Sequence, residues 1–598
     1  MMLNVASRLS ATARLMPEAV AVVEPLGYDR QGKRRYRQIS FRQLDDQSDR
    51  IARGLGRMGV RPGTRLALLV RPGVDFVVLV FALFKAGAVA VLIDPGMGRR
   101  NAIRCLAEAE PEGFVAGGLV QAIRLLLRRR FPKARYHVTV GRRWFWDGVT
   151  LDKLRREDLS GASQVRTDTQ PAWPPGLTRI SSAPSAPSAA PAPLAPAATP
   201  ARLGSPDVGP DDPAAIIFTS GSTGPPKGVL YCHGNFQAQV DEIRQQYDIR
   251  PGEIDLAAFP LFALFNCAMG VTAVIPDMDP SHPARVDPRK IIEAIDDWKV
   301  TQAFGSPAIW NRVGRYCQEH AIRLPTVRRV LSAGAPVPAN VLERMKSCIH
   351  PEGDVHTPYG ATESLPVATL AASEILAQTW PQTRQGAGVC VGRKFPGIQW
   401  KIIAAVDGPI GSLSEAYELP AGQIGELIVH GPVVTRQYVT GKNANLLGKI
   451  VEGSEIWHRL GDVGYLDDAG RFWFCGRMAH RVLATRGPMY TIPCEAIFNQ
   501  HPAVSRSALV GIGPPGSQEP VIVLEPRLGR MPRRPAERQA FLDEIRSLAA
   551  TSPLTAGIGR FLLHPSFPVD IRHNAKISRE KLALWAARQV SPKLEPEP

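Results

Sequence analysis

Eight cysteines are scattered through the 598 residues, and no two of them form a C-x-x-C pair. Metal-ribbon spacing and a secreted disulfide framework are therefore both absent, and the cysteines read as reduced core thiols of a cytoplasmic protein. The start, MMLNVASRLSATARLMPEA, has Arg8 and Arg14 interrupting its apolar residues, so no signal-peptide core is expected there. A transmembrane segment is also lacking. Val74 to Ile93 is long enough, but it carries Asp75, Lys85 and Gly87 and reads as a buried helix followed by a buried strand. The formal net charge is +17, and the basic residues fall in short scattered runs (Arg99-Arg100, Arg128 to Arg130, Arg142-Arg143, Arg533-Arg534). Because those runs lack the aromatic interleaving that stacks bases, no nucleic-acid partner is expected; an arginine-rich background or an anionic surface remain as readings of the charge. No internal repeat is evident.

What is present begins with a length that exceeds one hydrophobic core and a composition, 44% hydrophobic and 21% charged, typical of a globular chain of two or more domains. The stretch FTSGSTGPPKGVLYCHGN, Phe218 to Asn235, turns from apolar to glycine, serine and threonine and ends in Lys227. Such loops hold anions, because small residues let backbone N–H groups point inward and a lysine adds charge. The Walker spelling fails: Pro226 precedes Lys227 where glycine belongs, Gly228 follows it in place of Ser or Thr, and Pro225-Pro226 hampers the helix that a P-loop needs. A kinase or other P-loop NTPase is thereby disfavoured.

Residues 41–110 alternate helical patterns with short apolar strands, which predicts a parallel sheet with helices on its faces. Gly54 to Gly59 spells G-x-G-x-x-G but closes a helical pattern, so a helix terminus is expected there. Around 168–210 the composition shifts to Pro, Ala and Ser, which predicts a disordered or extended insertion. AAIIFTS resumes the sheet and delivers the chain into the glycine loop. Further strand–helix units follow, then from about 386 short strands with glycine turns predict a β-rich subdomain, and a smaller α+β unit follows Arg477.

Five phrases occur in order: TSGSTGPPKG (219–228), SAGAPV (332–337), YGATES (359–364), GDVGYLDDAGRFWFCGR (461–477) and NAKI (574–577). Together they resemble the acyl-adenylate-forming superfamily from about residue 18 to 585, the insertion excepted. That resemblance implies an α/β fold. A large N-terminal adenylate-forming domain, residues 1–477, would have parallel sheets sandwiched by helices plus the β-rich subdomain, and a small mobile α+β C-terminal lid would cover 478–598. It also implies a reaction, attack of a substrate carboxylate on the α-phosphorus of ATP with loss of pyrophosphate, with ATP and Mg²⁺ as cofactors. Positioning and charge neutralisation dominate such chemistry.

By the same resemblance Thr219, Ser220, Gly221, Ser222, Thr223, Gly224 and Lys227 would hold the β- and γ-phosphates. Ala333, Gly334 and Ala335 would edge the purine, and Tyr359, with Gly360 beside it, would stack on adenine. Thr362 would donate to the α-phosphate, Glu363 would ligate Mg²⁺ as a hard oxygen donor, Asp462 and Arg477 would meet the ribose, and Lys576 would bridge carboxylate and α-phosphate. Thr362, Glu363 and Lys576 are the catalytic candidates.

Three departures concern the second half-reaction. Ala479 stands where the family hinge is usually Asp or Lys. Pro488 stiffens the loop that keeps Gly487 and Glu495. Ala263 replaces the histidine that commonly follows P-L-F. These weaken transfer to coenzyme A, and the chain looks most like the β-lactone synthetases of bacterial long-chain olefin biosynthesis. That likeness implies a 2-alkyl-3-hydroxyalkanoic acid whose own hydroxyl displaces AMP, with a complex with other olefin-pathway enzymes as a further expectation. A tethered hydroxyl starts at high effective concentration. A long-chain acyl-CoA ligase and a catalytically silent acyl-nucleotide binder stay open as alternatives. Phe259 to Val271 reads as core first and as lipid-tunnel wall second, and His233, close to the glycine loop in sequence, is not favoured as a base.

Overall fold

The computed structural model describes residues 4–156, 208–219, 225–569 and 577–590. Two large, mainly parallel sheets and one antiparallel sheet position the five phrases. In the first, strands Pro213–Phe218, Val89–Leu92, Arg65–Leu69, Gly113–Gly117, Tyr136–Val140 and Val149–Thr150 run parallel, and Gly228–Cys232 and Gln437–Tyr438 add antiparallel to one edge. The second places Asp354–His356, Arg329–Ser332, Gln302–Gly305, Ile254–Ala257, Thr272–Val274 and Val20–Tyr28 in parallel order, with Arg34–Ser40 antiparallel at the end. Their central strands, such as Val89–Leu92 and Gln302–Gly305, are buried on both faces, which is why most of them read as short continuous apolar runs.

The tempting apolar stretch resolves as expected into helix Val74–Lys85, all but Asp75 buried, and strand Val89–Leu92. Lys85 is tolerated inside because its ammonium bonds Asp45 and Asp49, each at 2.6 Å. The G-x-G-x-x-G decoy closes helix Phe41–Arg57, and Gly59 sits at φ +95°, a helix-stop conformation that favours glycine. No helix among the described residues is long and apolar enough to cross a membrane. All eight cysteines are free thiols, seven of them buried. Of the Pro/Ala-rich stretch, 168–207 lies outside the described residues. Its far end is not loose, since Val208 is buried, with its methyl near where a side chain on Gly87 would sit.

The β-rich region forms the antiparallel sheet Tyr359–Ala361, Ser364–Thr369, Val389–Lys394, Phe472–Arg477, Glu455–Leu466, Gly425–His430, Gln399–Ile403, with Lys449–Glu452 pairing onto Glu455–Leu466. Beyond Arg477 come the hairpin Val482–Ala484 and Gly487–Met489, a three-stranded sheet (Val504–Ile512, Glu519–Pro526, Arg560–Leu563) and helices Thr491–Phe498, Pro535–Ala550 and Arg579–Val590. This last α+β group has core clusters of its own, centred on Phe498 and Ile522 and on Val521 and Leu582.

Candidate active site

Strand Pro213–Phe218 ends at Thr219, and the chain returns along Gly228–Cys232, so the glycine loop is the connection of an antiparallel pair. Its base is closed twice: the Thr219 amide donates to the Lys227 carbonyl, and the Lys227 amide donates to the Thr219 hydroxyl, both at 3.0 Å. The Gly228 amide donates to the Thr440 hydroxyl at 2.7 Å, tying the return strand to its neighbour. Ser220, Gly221, Ser222, Thr223 and Gly224 lie outside the described residues, as does Lys576. Lys227 extends over the Tyr438 ring, its ammonium 5.2 Å from the centroid.

Asp462 and Arg477 face each other across adjacent antiparallel strands. The pairing puts the guanidinium Nε 3.0 Å from the carboxylate, and the Tyr359 hydroxyl donates to the other carboxylate oxygen. Asp462 is 4% exposed, a buried carboxylate held by these two donors. The Asp462 charge holds the Arg477 guanidinium above its ordinary range despite burial, with Tyr359, Glu363 and Tyr438 contributing in turn. Burial and Asp462 push the Tyr359 phenol well up, so it stays a neutral donor. The hairpin that carries Tyr359 needs Gly360: a Cβ there would come 2.6 Å from the Ser364 carbonyl oxygen. Gly334, between Ala333 and Ala335, has φ +93° at the end of strand Arg329–Ser332, a turn that only glycine makes without strain.

Glu363 sits at the tip of the same hairpin. Its carbonyl accepts from the Thr435 amide at 2.9 Å and the Thr435 hydroxyl at 3.0 Å, while the Thr362 carbonyl accepts from the Tyr231 hydroxyl. The Glu363 carboxylate takes a hydrogen bond from the Tyr438 hydroxyl at 2.6 Å. Behind Tyr438 lies Lys449, 6% exposed, its ammonium 5.5 Å from the ring centroid and donating to the Thr435 carbonyl. Burial drops the Lys449 amine to about 7, against some support from Glu363. His458, fully enclosed beside it, is pushed well down by burial and by Lys449, and its Nδ1 lies 2.7 Å from the Gly448 carbonyl. The fold therefore gathers Lys227, Arg477 and Lys449 around two carboxylates. Of these, Lys449, Tyr438, Thr435, Tyr231 and His458 carry no phrase in the sequence that could have marked them. A single hard carboxylate beside a phosphate loop suits Mg²⁺, which is held by one or two carboxylates with the rest of its shell from substrate phosphates and water.

His233 is fully buried, packs edge-on against Phe84 at 5.5 Å, and neither ring nitrogen has a hydrogen-bond partner among the described residues. Burial lowers it to about 4, so it is a neutral core residue. Helix Pro260–Met269 packs Phe262, Ala263, Leu264 and Phe265 into the principal core. Its Asn266 side chain donates at 2.6 Å to Asp255, whose carboxyl burial raises to about 7. Ala479 is exposed in the turn directly after Arg477, and Pro488 is exposed on its hairpin. Glu495 is buried and bonded by Arg579 at 2.9 Å, which ties the terminal helix to Thr491–Phe498.

Residues 9–439 match the protein family described as AMP-binding enzyme. The chain is 44% identical over 592 residues to the olefin β-lactone synthetase of Xanthomonas campestris pv. campestris, covering 98% of both chains. It is 42% identical over 602 residues to the olefin β-lactone synthetase of Stenotrophomonas maltophilia, again covering 98% of each. Among solved structures it resembles O-succinylbenzoate coenzyme A synthetase from Bacillus subtilis in complex with ATP and magnesium ion, with a TM-score of 0.67 and 20% identity, over 96% of this chain and 98% of that one.

Proposed function

We infer that this chain, which belongs to the AMP-binding enzyme family, is an ATP-dependent β-lactone synthetase. It adenylates the carboxylate of a long-chain 2-alkyl-3-hydroxyalkanoic acid, after which the 3-hydroxyl attacks the acyl carbon and AMP leaves with the former carboxylate oxygen. The observation that carries this reading is the near-full-length likeness to two olefin β-lactone synthetases. The product places it in olefinic hydrocarbon biosynthesis, with a cytoplasmic location and association with other enzymes of that pathway as parts of the proposal.

The residues take the following roles. Lys227 and the loop that Thr219 closes neutralise the β- and γ-phosphates, and Glu363, steadied by Tyr438, holds Mg²⁺. Asp462 accepts the ribose hydroxyls, with Tyr359 and Arg477 fixing its orientation. Thr362 donates to the α-phosphate, and Lys576 from the C-terminal unit bridges carboxylate and phosphate as charge builds on them. Residues 1–477 form the nucleotide- and acyl-binding unit and 478–598 the lid. Magnesium offsets charge on the phosphates when bound. The hydroxyl's proton leaves through a group other than His233, which is enclosed and neutral.

Incubation with ATP and a 2-alkyl-3-hydroxy acid, with and without coenzyme A, tests the reading by mass spectrometry of unheated product. β-Lactone, AMP and pyrophosphate in both samples are expected. A thioester formed only with coenzyme A would instead make the protein an acyl-CoA ligase, and the absence of carboxylate-dependent pyrophosphate exchange would make it a silent binder.

A further inference from the structure

Helix Gly118–Leu126 is amphipathic in the inverted sense. Its polar residues Gln121 and Arg124 are buried. Gln121 donates to the Phe114 and Val138 carbonyls at 3.3 and 3.0 Å, and Arg124 bonds Gln121, His137 and Asp147. Its apolar residues face out: Leu119 is 77%, Ile123 44% and Leu126 85% exposed, and their spacing of four and three residues makes one stripe. A helix bathed only in water would bury that stripe and expose the polar face.

The stripe does not stand alone. A Cβ on Gly118 would lie 3.4 Å from the Trp146 ring and 3.5 Å from the Arg142 carbonyl oxygen, so the loop after strand Tyr136–Val140 abuts the start of the helix. That loop presents Trp144 and Phe145, 68% and 74% exposed, packed tilted and edge-on against the buried Trp146 at 5.9 and 5.3 Å between centroids. Arginines frame the apolar surface at both ends: Arg142 and Arg143 beside Trp144, and Arg128, Arg129 and Arg130 directly after the helix, all exposed. None of the five forms an ion pair with a carboxylate among the described residues. Strands Gly113–Gly117 and Tyr136–Val140 run parallel to Pro213–Phe218, so the start of this helix, the Trp144 loop and the Thr219 loop leave the same rim of one sheet. At ~5 Å per strand, the two sites are on the order of 20 Å apart.

We propose that this face is a membrane-docking surface that inserts Leu119, Ile123, Leu126, Trp144 and Phe145 into the interfacial layer of an anionic phospholipid bilayer. The flanking arginines meet the lipid headgroups. Exposed leucine, tryptophan and phenylalanine framed by arginines without a carboxylate partner are complementary to such a surface in both polarity and charge, whereas a protein partner would have to supply an apolar groove with carboxylates at both ends. Uptake of a long-chain acid from the bilayer is the benefit, and that purpose alone rests on the function proposed above; docking is measured without substrate, so the two readings fail separately.

Sedimentation of the full-length chain with phosphatidylcholine vesicles, with or without phosphatidylglycerol, tests the proposal. The protein is expected to pellet with the anionic vesicles at low ionic strength and to be released near 1 M salt, where the Debye length falls to ~3 Å. R128Q/R129Q/R130Q should weaken binding about a hundredfold. L119S/L126S/F145S, which keeps Trp144 as the reporter, should abolish quenching of tryptophan fluorescence by bromine-labelled acyl chains. Far-UV circular dichroism and pyrophosphate exchange with a short, water-soluble acid, unchanged in both variants, establish that they fold. A parent chain that stays in the supernatant with either vesicle overturns the proposal, whether or not the patch then proves to hold a protein or a second copy. So does equal binding by the parent and both variants.

Discussion

Replacing Lys449 with methionine keeps most of the length of the side chain and removes a charge that the fold encloses at 6% exposure. The amine falls from its ordinary 10.5 to about 7 because burial disfavours the ammonium. That displacement corresponds to about 5 kcal/mol of differential stability between the two protonation states. Between about pH 7 and 10.5 the unfolded chain carries a proton on this amine that the folded chain does not. The penalty is therefore complete below pH 7 and fades as the pH rises toward 10.5; near pH 9 about 2 kcal/mol of it remains. Against this, K449M forfeits the bond to the Thr435 carbonyl, worth about 1 kcal/mol for the neutral amine. The variant should therefore be more stable than the parent by about 4 kcal/mol near pH 6 and by about 1 kcal/mol near pH 9. Urea transitions of both proteins across that range, followed by tryptophan fluorescence, read the difference, which includes the release of His458 from the charge of Lys449. A difference that does not change with pH, or a parent that is the more stable near pH 6, refutes the electrostatic account of the pocket beneath Glu363.

Other perturbations of the same pocket have distinct readouts. Y438F removes the 2.6 Å bond to Glu363 and should slow carboxylate-dependent pyrophosphate exchange about tenfold while raising the Mg²⁺ concentration for half-maximal rate, with the thermal midpoint little changed. D462N removes the charge that Arg477 pairs with and leaves one acceptor oxygen where Arg477 and Tyr359 now have one each. It should raise the KM for ATP by about 10², seen in initial rates against ATP concentration. K576A should lower the rate of pyrophosphate release by about 10²–10³ with the KM for ATP nearly constant, because its cation is needed only as charge develops. A K576A enzyme with parental turnover would remove this lysine from the reaction centre.

How much of this was legible in the amino-acid sequence differed by element. The parallel sheets could be read because their strands are continuous apolar runs between helical periods, as in Val74–Lys85 followed by Val89–Leu92. The five phrases announced themselves because they stand in order and together carry the family resemblance, and the fold does bring Tyr359, Asp462 and Arg477 into contact. The layer behind them was not legible. Tyr438 and Lys449 belong to QYVTGKNANLLGKIV, where neither spacing nor composition distinguishes them. They become site residues only because the short strand Gln437–Tyr438 pairs with Gly228–Cys232, and Lys449–Glu452 folds back on Glu455–Leu466. The arginine runs posed the opposite difficulty, since Arg128 to Arg130 and Arg142-Arg143 read as scattered charge. They acquire meaning once Gly118 and Trp146 are seen in contact.

The central claim is that the carboxylate, and not the hydroxyl, captures AMP. It is tested by a 2-alkyl-3-hydroxy acid carrying ¹⁸O in both carboxylate oxygens. Activation at the carboxylate followed by attack of the unlabelled hydroxyl predicts AMP bearing one ¹⁸O, and a lactone labelled only in its carbonyl oxygen. Unlabelled AMP together with a lactone that retains both labels would mean that the hydroxyl had been activated and then displaced, and would contradict the account.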